Sequence, residues 1–145
     1  MWLVLAALTS LWRNLRFYNS PSAWIPALVL FGAGVYTYKQ AGERFTCAQL
    51  GGLPELQASH HDQRLVTSGI RARVRHPVYL GHLCEMLAWS IGSGLVVNFA
   101  LTAFAVLTGA IMIRMEDREL EERFGAEYVA YRGHVPALIP RWRKS

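Results

Sequence analysis

Two short segments carry side chains that could bind a charged ligand. In the first, residues 69–81, Arg75 and His76 stand directly before Pro77. Proline suits the first turn of a helix, because its missing N–H would have no partner there. The free amides of that helix start, beside a guanidinium and an imidazole, would form an anion site. A basic flank that anchors a helix at a membrane surface explains the same residues, so their types and spacing leave both interpretations open.

The second segment is a pair of adjacent carboxylates, Glu116 and Asp117, within residues 114–120. Carboxylates at the end of a membrane helix can neutralise a cation or bind hydroxyl and amino groups. We expect the chain to return this pair close to His76, so that a cationic and an anionic site face each other. A solvated acidic helix start is the alternative interpretation.

The elements that position these segments are predicted to be those of a membrane protein. The chain has 145 residues, 52% of them hydrophobic, with five tryptophans and a net charge of +5. Its length fits one domain, and its long uncharged runs are unlike those of a water-soluble domain. Because the basic residues lie beside apolar segments, we expect membrane lipids and not nucleic acid as partners. The two cysteines, Cys47 and Cys84, lack metal-ligand spacing, and no metal site is predicted.

Charge divides the chain into four parts of a single domain. Residues 77–113 contain no lysine or arginine. At 1.5 Å per residue this stretch can cross about 30 Å of hydrocarbon nearly twice, which predicts a helical hairpin with a turn near 92–98. Basic residues flank both ends and place them on the cytoplasmic side. The four parts are N-terminal membrane helices over 1–40, a cytoplasmic loop over 41–76, the hairpin over 77–113, and a cytoplasmic amphipathic helix with a basic tail over 114–145.

Further helices are predicted outside the hairpin. The apolar opening, residues 1–12, is expected to be retained and not cleaved as a signal peptide. Residues 22–38 form an apolar stretch about long enough to span a membrane. Residues 116–133 predict one surface helix with a one-sided apolar and aromatic face. The residues of that face are Leu120, Phe124, Tyr128 and Tyr131.

The order of these segments resembles one family. Its matching segments are Leu65-Val66-Thr67-Ser68-Gly69, then Arg75-His76-Pro77-Val78-Tyr79-Leu80-Gly81, then the uncharged stretch, then Glu116-Asp117-Arg118-Glu119-Leu120 and Phe124-Gly125-Ala126-Glu127-Tyr128. The series is similar to the isoprenylcysteine carboxyl methyltransferases and their phospholipid methyltransferase relatives. It covers residues 63–140, and it favours the functional interpretation of both chemical segments.

The resemblance implies an all-α, multi-helix integral membrane protein with a C-terminal helical hairpin and a cytoplasmic pocket for S-adenosylmethionine. A lipidic or amphipathic substrate would enter between helices. Glu116 and Arg114 are the implied catalytic residues, with Arg114 as the cation that orients a substrate carboxylate. The residues at the family's cofactor-binding positions are Gln63, Arg64, Leu65, Val66, His76, Pro77, Tyr79 and Glu116.

The identity of the methyl acceptor stays open at this point. Methyl transfer from a sulfonium is an in-line displacement, so alignment and exclusion of water are the main requirements. A carboxylate acceptor would need a positioning cation, whereas an amine of a phospholipid or small molecule would need a base such as Glu116 or His76. The alternative from another functional class is a non-catalytic membrane scaffold protein. Two features keep this alternative open: the short N-terminal region, and Arg71 at a position where the family commonly has an aromatic residue. The sequence does not indicate whether the protein is a monomer or an oligomer.

Two polar side chains, His82 and Glu85, lie inside the predicted hairpin. A carboxylate within a membrane helix is costly and usually faces a partner or a cavity. The three-residue spacing puts both side chains on one helix face, so they could pair with each other. We expect them to line the substrate cavity, although a polar contact between helices explains them as well. A metal site with Glu116 has no further ligand spacing in its favour.

Overall fold

The computed structural model describes residues 14–42 and 64–140, and regular structure in these residues is helical. Short 3-10 turns, Pro21–Ala23 and Gly69–Ala72, precede the first and second α-helices. The all-α prediction is therefore confirmed for the described residues. The four α-helices are α1 (Trp24–Gly42), α2 (Pro77–Ser93), α3 (Val96–Phe124) and α4 (Ala126–His134).

Among the described helices, α3 alone is long and apolar enough to cross a membrane. It has 29 residues, and a helix of that length extends about 43 Å, more than the roughly 30 Å of bilayer hydrocarbon. Its charged residues begin at Arg114, so the apolar part is 96–113 and the last turns extend beyond it. Only 11% of its most apolar window is buried. An apolar helix with an exposed surface is typical of a segment that faces lipid or another partner.

The sequence predicts a separate surface helix over 116–133, but in the structure residues 116–124 are the last turns of α3. α3 continues without interruption from the apolar part to Phe124, and α4 starts at Ala126. No glycine or proline stands in residues 110–124 to stop the helix, and backbone hydrogen bonding does not depend on the change from apolar to charged side chains. Gly125 has a φ of 56°, which ends the helix. The carboxylate pair is therefore carried by the same helix as the apolar segment.

Contacts group the described residues into two units, one of residues 14–35 and 81–112 and the other of residues 36–42, 64–80 and 113–140. In the first unit, small and hydroxyl-bearing side chains join the helices. The hydroxyls of Ser90 in α2 and Thr102 in α3 are 2.9 Å apart and buried. A Cβ built on Gly34 in α1 would lie 3.1 Å from the carbonyl oxygen of Gly81 in α2. Close approach at small residues and hydroxyl hydrogen bonds are typical of helix packing in membranes.

The connection between α2 and α3 is Gly94-Leu95, within the region predicted to turn. An extended segment before α1 pairs with it through the backbone. Phe17 N–H donates to the carbonyl of Gly94 at 2.9 Å, and Val96 N–H donates to the carbonyl of Leu15 at 3.0 Å. These hydrogen bonds satisfy polar backbone groups at the turn.

We expect Gly94→Ala to destabilise this turn by at least about 1–2 kcal/mol, the cost of a left-handed backbone for a residue with a Cβ. Gly94 has a φ of 65°, and a Cβ there would overlap the backbone carbonyl of Tyr18. Thermal unfolding in detergent, followed by circular dichroism, measures the effect. Gly32→Ala is the matched control, since a Cβ at Gly32 meets nothing within 4 Å. Alanine should there stabilise the helix slightly, and equal unfolding temperatures for the two variants would contradict the prediction.

Candidate functional site

A buried polar cluster in the second unit is centred on Asp117. Arg75 Nη2 donates to Asp117 Oδ2 at 2.7 Å, His76 Nε2 lies 2.8 Å from Oδ1, and the Tyr128 hydroxyl donates to the same Oδ1. The side chains of Arg75, His76 and Asp117 are 9%, 2% and 13% exposed, and Tyr128 is fully buried. The prediction that the basic segment and the carboxylate pair face each other is therefore confirmed.

The segment after α4 holds Arg75 and His76 in place. Their backbone amides donate to the carbonyls of Pro136 and Ala137 at 2.9 and 3.0 Å. The guanidinium of Arg75 also donates from Nη1 to the carbonyl of Val135 at 2.7 Å. The Arg75 side chain, just before α2, thus contacts both the Asp117 carboxylate on α3 and the segment that follows α4. Its Nε is buried and lacks a hydrogen-bond partner among the described residues.

Glu116 differs from its neighbour because it is partly open to solvent. Its side chain is 45% exposed, against 13% for Asp117. Glu116 Oε2 lies 3.3 Å from His76 Nδ1, the ring nitrogen that does not face Asp117. The ring of Tyr79 packs edge-on against His76, with the ring centroids 5.8 Å apart. Asp117 is surrounded by internal donors, whereas Glu116 can still accept hydrogen bonds from a ligand.

Neighbouring charges set the ionisation of the cluster. Burial alone would lower the pKa of His76, but the carboxylates of Glu116 and Asp117 outweigh it and raise that pKa above its usual 6.5. Burial alone would raise the pKa of Asp117, but hydrogen bonds from Tyr128, His76 and Arg75 outweigh it and lower that pKa below 3.8. Burial and the Asp117 carboxylate raise the pKa of the Tyr128 phenol, which stays a proton donor. The Asp117 carboxyl is therefore ionised at neutral pH.

Arg71 lies beside this cluster and is half-buried. Its backbone carbonyl accepts a hydrogen bond of 2.6 Å from the Tyr131 hydroxyl, and any side chain at position 71 would permit this contact. Burial lowers the pKa of the Arg71 guanidinium, while the nearby Tyr131 and Glu116 raise it. The structure thus places a cationic side chain within electrostatic reach of Glu116.

The structure brings several of the sequence-predicted cofactor residues together. His76, Tyr79 and Glu116 are neighbours, and Pro77, fully buried, begins α2 directly after His76. The segment of Arg64, Leu65 and Val66 is non-helical and largely exposed, and it leads into the Gly69–Ala72 turn. Gln63 lies outside the described residues.

Three predicted residues lie elsewhere. Arg114 is exposed on α3, and its two-residue separation from Glu116 corresponds to about 200° around a helix, so the two side chains leave different sides. His82 and Glu85 lie on α2 in the other unit, where their role in lining a cavity stays a prediction. Among the described residues, no group of three His, Cys, Asp or Glu side chains is arranged to hold a metal ion.

The polar role of the two tyrosines on α4 does not follow from the spacing of the residues in the sequence. The spacing predicts that Tyr128 and Tyr131 lie on an apolar and aromatic helix face, whereas their hydroxyls donate to Asp117 and to the Arg71 carbonyl. The signal in the sequence is the residue type. A buried tyrosine needs a partner for its hydroxyl, which leucine or phenylalanine at the same position would not.

The second unit also contains a cavity of about 370 Å³. Its walls combine apolar residues with polar ones from the last turns of α1 and with Arg73. That volume falls within the usual range for small-molecule sites. The lining residues are Tyr36, Thr37, Gln40, Gly69, Ile70, Arg73, Val74, Leu80 and Pro140.

A profile of the phospholipid methyltransferase family matches residues 55–127, half of the chain. The chain belongs to the phospholipid methyltransferase family. The matched residues include the run from Arg75 to Tyr79, the carboxylate pair and the first residues of α4. The family prediction made from the order of the motifs is confirmed.

This phospholipid methyltransferase family member is similar to curated methyltransferases over about half of its length. It is 36% identical to protein-S-isoprenylcysteine O-methyltransferase B of Arabidopsis thaliana, over 56% of this chain and 41% of that protein. It is 38% identical to methanethiol S-methyltransferase 1 of Bradyrhizobium diazoefficiens, over 50% of this chain and 24% of that protein. It is 35% identical to human protein-S-isoprenylcysteine O-methyltransferase, over 52% of this chain and 27% of that protein. The chain thus spans less than half the length of these curated relatives, and no solved structure matches it significantly.

Proposed function

We propose that the chain transfers a methyl group from S-adenosylmethionine to an amphipathic or lipid-linked acceptor, most like the O-methylation of an isoprenylcysteine carboxylate. Membership of the phospholipid methyltransferase family supports methyl transfer, and two of the relatives above are named as isoprenylcysteine O-methyltransferases. The observation that carries the proposal is the half-exposed carboxylate of Glu116, held against the buried His76.

The side chains around Glu116 fit S-adenosylmethionine by their chemistry. The Glu116 carboxylate can accept hydrogen bonds from hydroxyl or ammonium groups. The ring of Tyr79 offers an aromatic surface for a flat base or a cation, and the Arg71 guanidinium suits a carboxylate. His76 and Pro77 would complete the site at the start of α2, with Arg64, Leu65 and Val66 on the segment before it. When bound, the cofactor would supply a methyl group on a sulfonium, and an acceptor that attacks this methyl carbon in line would displace S-adenosylhomocysteine as the leaving group.

The chain's own contribution would be to orient the two partners and to exclude water. Arg75 and Asp117 form an internal ion pair of 2.7 Å that keeps the segment before α2 in place. Glu116 need not act as a base for a carboxylate acceptor, because such an acceptor is already ionised at neutral pH. An amine acceptor would have to lose a proton first, and the Glu116 carboxylate would then take it.

A membrane setting is part of the proposal. The apolar residues 96–113 of α3 suit a crossing, and α2 and α3 would form a hairpin over 77–113 whose two basic ends lie on the cytoplasmic side. The cofactor pocket would then open to the cytoplasm. The cavity of about 370 Å³, whose walls combine apolar and polar residues with Arg73, would fit an acceptor that has an apolar chain and an anionic group. Arg73 is thus a second candidate, beside Arg114, for the cation that orients a substrate carboxylate.

A small thiol or amine acceptor is the second candidate function. The observation that favours it is the 38% identity to a methanethiol S-methyltransferase, together with the phospholipid methyltransferase profile itself. The cluster around Glu116 serves either acceptor, because it would bind the shared methyl donor.

Methyl transfer can be assayed with S-adenosylmethionine labelled in its methyl group. The purified protein in lipid nanodiscs is offered an S-isoprenylated N-acyl-cysteine, a small alkyl thiol or an aminophospholipid. We expect label on the isoprenylated acid, and we expect mild base to release it as methanol, since esters hydrolyse and N- or S-methyl groups do not. Base-stable label on the thiol or the amine would establish the second candidate instead. A folded protein that labels none of the three would support the non-catalytic scaffold alternative.

A further inference from the structure

His76 lies between two carboxylates, one at each nitrogen of its ring. Nε2 is 2.8 Å from Asp117 Oδ1, and Nδ1 is 3.3 Å from Glu116 Oε2. An ionised carboxylate accepts hydrogen bonds and donates none, and a neutral imidazole has only one N–H. A neutral ring can donate to only one of the two carboxylates, and its other nitrogen would then face a carboxylate with no proton between them. Both contacts are favourable only if this group of three side chains holds one additional proton. Either the ring is doubly protonated, or one carboxylate holds the extra proton.

The other partners of Asp117 decide between these two states. Arg75 donates to Asp117 at 2.7 Å, and Tyr128 donates to the same carboxylate. A guanidinium and a phenol that both donate to a carboxylate favour its ionised form. The charge of Glu116 is stabilised differently, because its side chain is 45% exposed to water. The extra proton therefore belongs on the ring, and the ring is 2% exposed.

We propose that Asp117 is a positioning residue that holds His76 as a doubly protonated ring, whose Nδ1–H in turn fixes the Glu116 carboxylate for the cofactor. Asp117 would thus act on the cofactor through His76 and Glu116 without touching it. Two adjacent carboxylates on one helix have divided roles, one directed inward to set the ring and the other outward to bind. The role of Glu116 rests on the proposed function, whereas the state of the ring is a property of the protein alone.

The arrangement makes cofactor affinity depend on pH. The two carboxylates raise the pKa of His76 above 6.5, so the ring keeps both protons below that raised pKa and loses one as the pH rises through it. Affinity for the cofactor should be highest on the acidic side and should fall by about tenfold on the basic side, the loss of one charge-assisted hydrogen bond. The charged and titratable groups around His76 are Glu116 and Asp117 of α3, Tyr79 of α2, the preceding Arg75, and Tyr128 of α4 through Asp117.

The ring state can be measured without any ligand. Nitrogen-15 NMR of histidine-labelled protein in detergent distinguishes a doubly protonated ring from either neutral tautomer. The chain has five histidines, and His76→Gln assigns the signal. We expect both nitrogens of His76 to be protonated at pH 6.5, the usual midpoint, and deprotonation only at higher pH. A mostly neutral His76 at pH 6.5 would overturn the proposal, and this result needs no variant of Asp117.

Variants of Asp117 link the ring to the cofactor site. Asp117→Asn should lower the pKa of His76 and move the fall in S-adenosylhomocysteine affinity to lower pH, whereas Asp117→Glu keeps the charge and should retain the wild-type direction. An unchanged affinity profile in a folded Asp117→Asn protein with an altered His76 titration would overturn the positioning role. A doubly protonated His76 in a wild type that binds no S-adenosylhomocysteine at any pH would instead contradict the proposed function. The two failures are therefore distinguishable.

Discussion

Arg75→Ala should destabilise the protein by about 3–5 kcal/mol, the range for breaking a buried ion pair on one side. The guanidinium is 9% exposed and forms the 2.7 Å ion pair with Asp117. It also donates to the carbonyls of Val135 and Arg132, at 2.7 and 3.2 Å. Its removal would leave a buried carboxylate without its cation and two carbonyls without their donor. Thermal unfolding in detergent should show a decrease of roughly 10 °C in Tm.

Arg118→Ala is the matched control for this prediction. Arg118 follows Asp117 on α3 and is exposed, and exposed substitutions of this kind change stability by roughly 0.5 kcal/mol or less. Both variants remove one positive charge, so the change in net charge is the same in each. The difference between their unfolding temperatures therefore measures the contribution of the buried ion pair. If Arg75→Ala and Arg118→Ala unfold at the same temperature, Arg75 does not hold the cluster together.

Glu116→Ala should reduce affinity for S-adenosylmethionine by about a hundredfold or more, the effect of removing a charged acceptor of several hydrogen bonds. Stability should change little, because the Glu116 side chain is 45% exposed and its contact with His76 is 3.3 Å long. Arg75→Ala, by contrast, is expected to have a large effect on stability. Equilibrium binding of radiolabelled cofactor to the detergent-solubilised variants measures the affinity.

Glu122→Ala controls for charge in the Glu116 experiment. Glu122 is exposed on the same helix, so its removal changes the net charge equally without reaching His76. We expect wild-type affinity from this variant. A Glu116→Ala protein that is folded and binds the cofactor as well as Glu122→Ala does would remove the basis of the proposed site.

Periodicity and charge predicted most of the helical elements. Proline at the start of α2, the uncharged run after it and the glycines near 92–98 are local signals, and they placed α2 and its turn close to their observed bounds. The end of α3 was not predicted because the change from apolar to charged residues marks the end of a membrane segment and not the end of a helix. The left-handed glycine at position 125 is the actual stop.

The sequence predicted that the basic segment and the carboxylate pair meet, but not which side chains contact each other. The order of the motifs placed His76 beside the carboxylate pair, as the structure has them. Which carboxylate faces inward depends on the rotation of α3, since neighbouring residues leave a helix about 100° apart. Sequence spacing alone does not define that rotation. The structure directs Asp117 to Arg75 and Tyr128 and leaves Glu116 partly exposed.

Calorimetric titration of the wild-type protein with S-adenosylmethionine and S-adenosylhomocysteine tests the central claim most directly. The cluster of His76, Tyr79 and Glu116 should bind both compounds at micromolar concentrations, because the two differ only in the methyl group and in the positive charge that it gives the sulfur. Binding should be absent from Glu116→Ala at the same concentrations. A wild type that circular dichroism shows to be folded, yet which releases no heat and binds neither compound, would contradict the account and favour a scaffold protein that has lost methyl transfer.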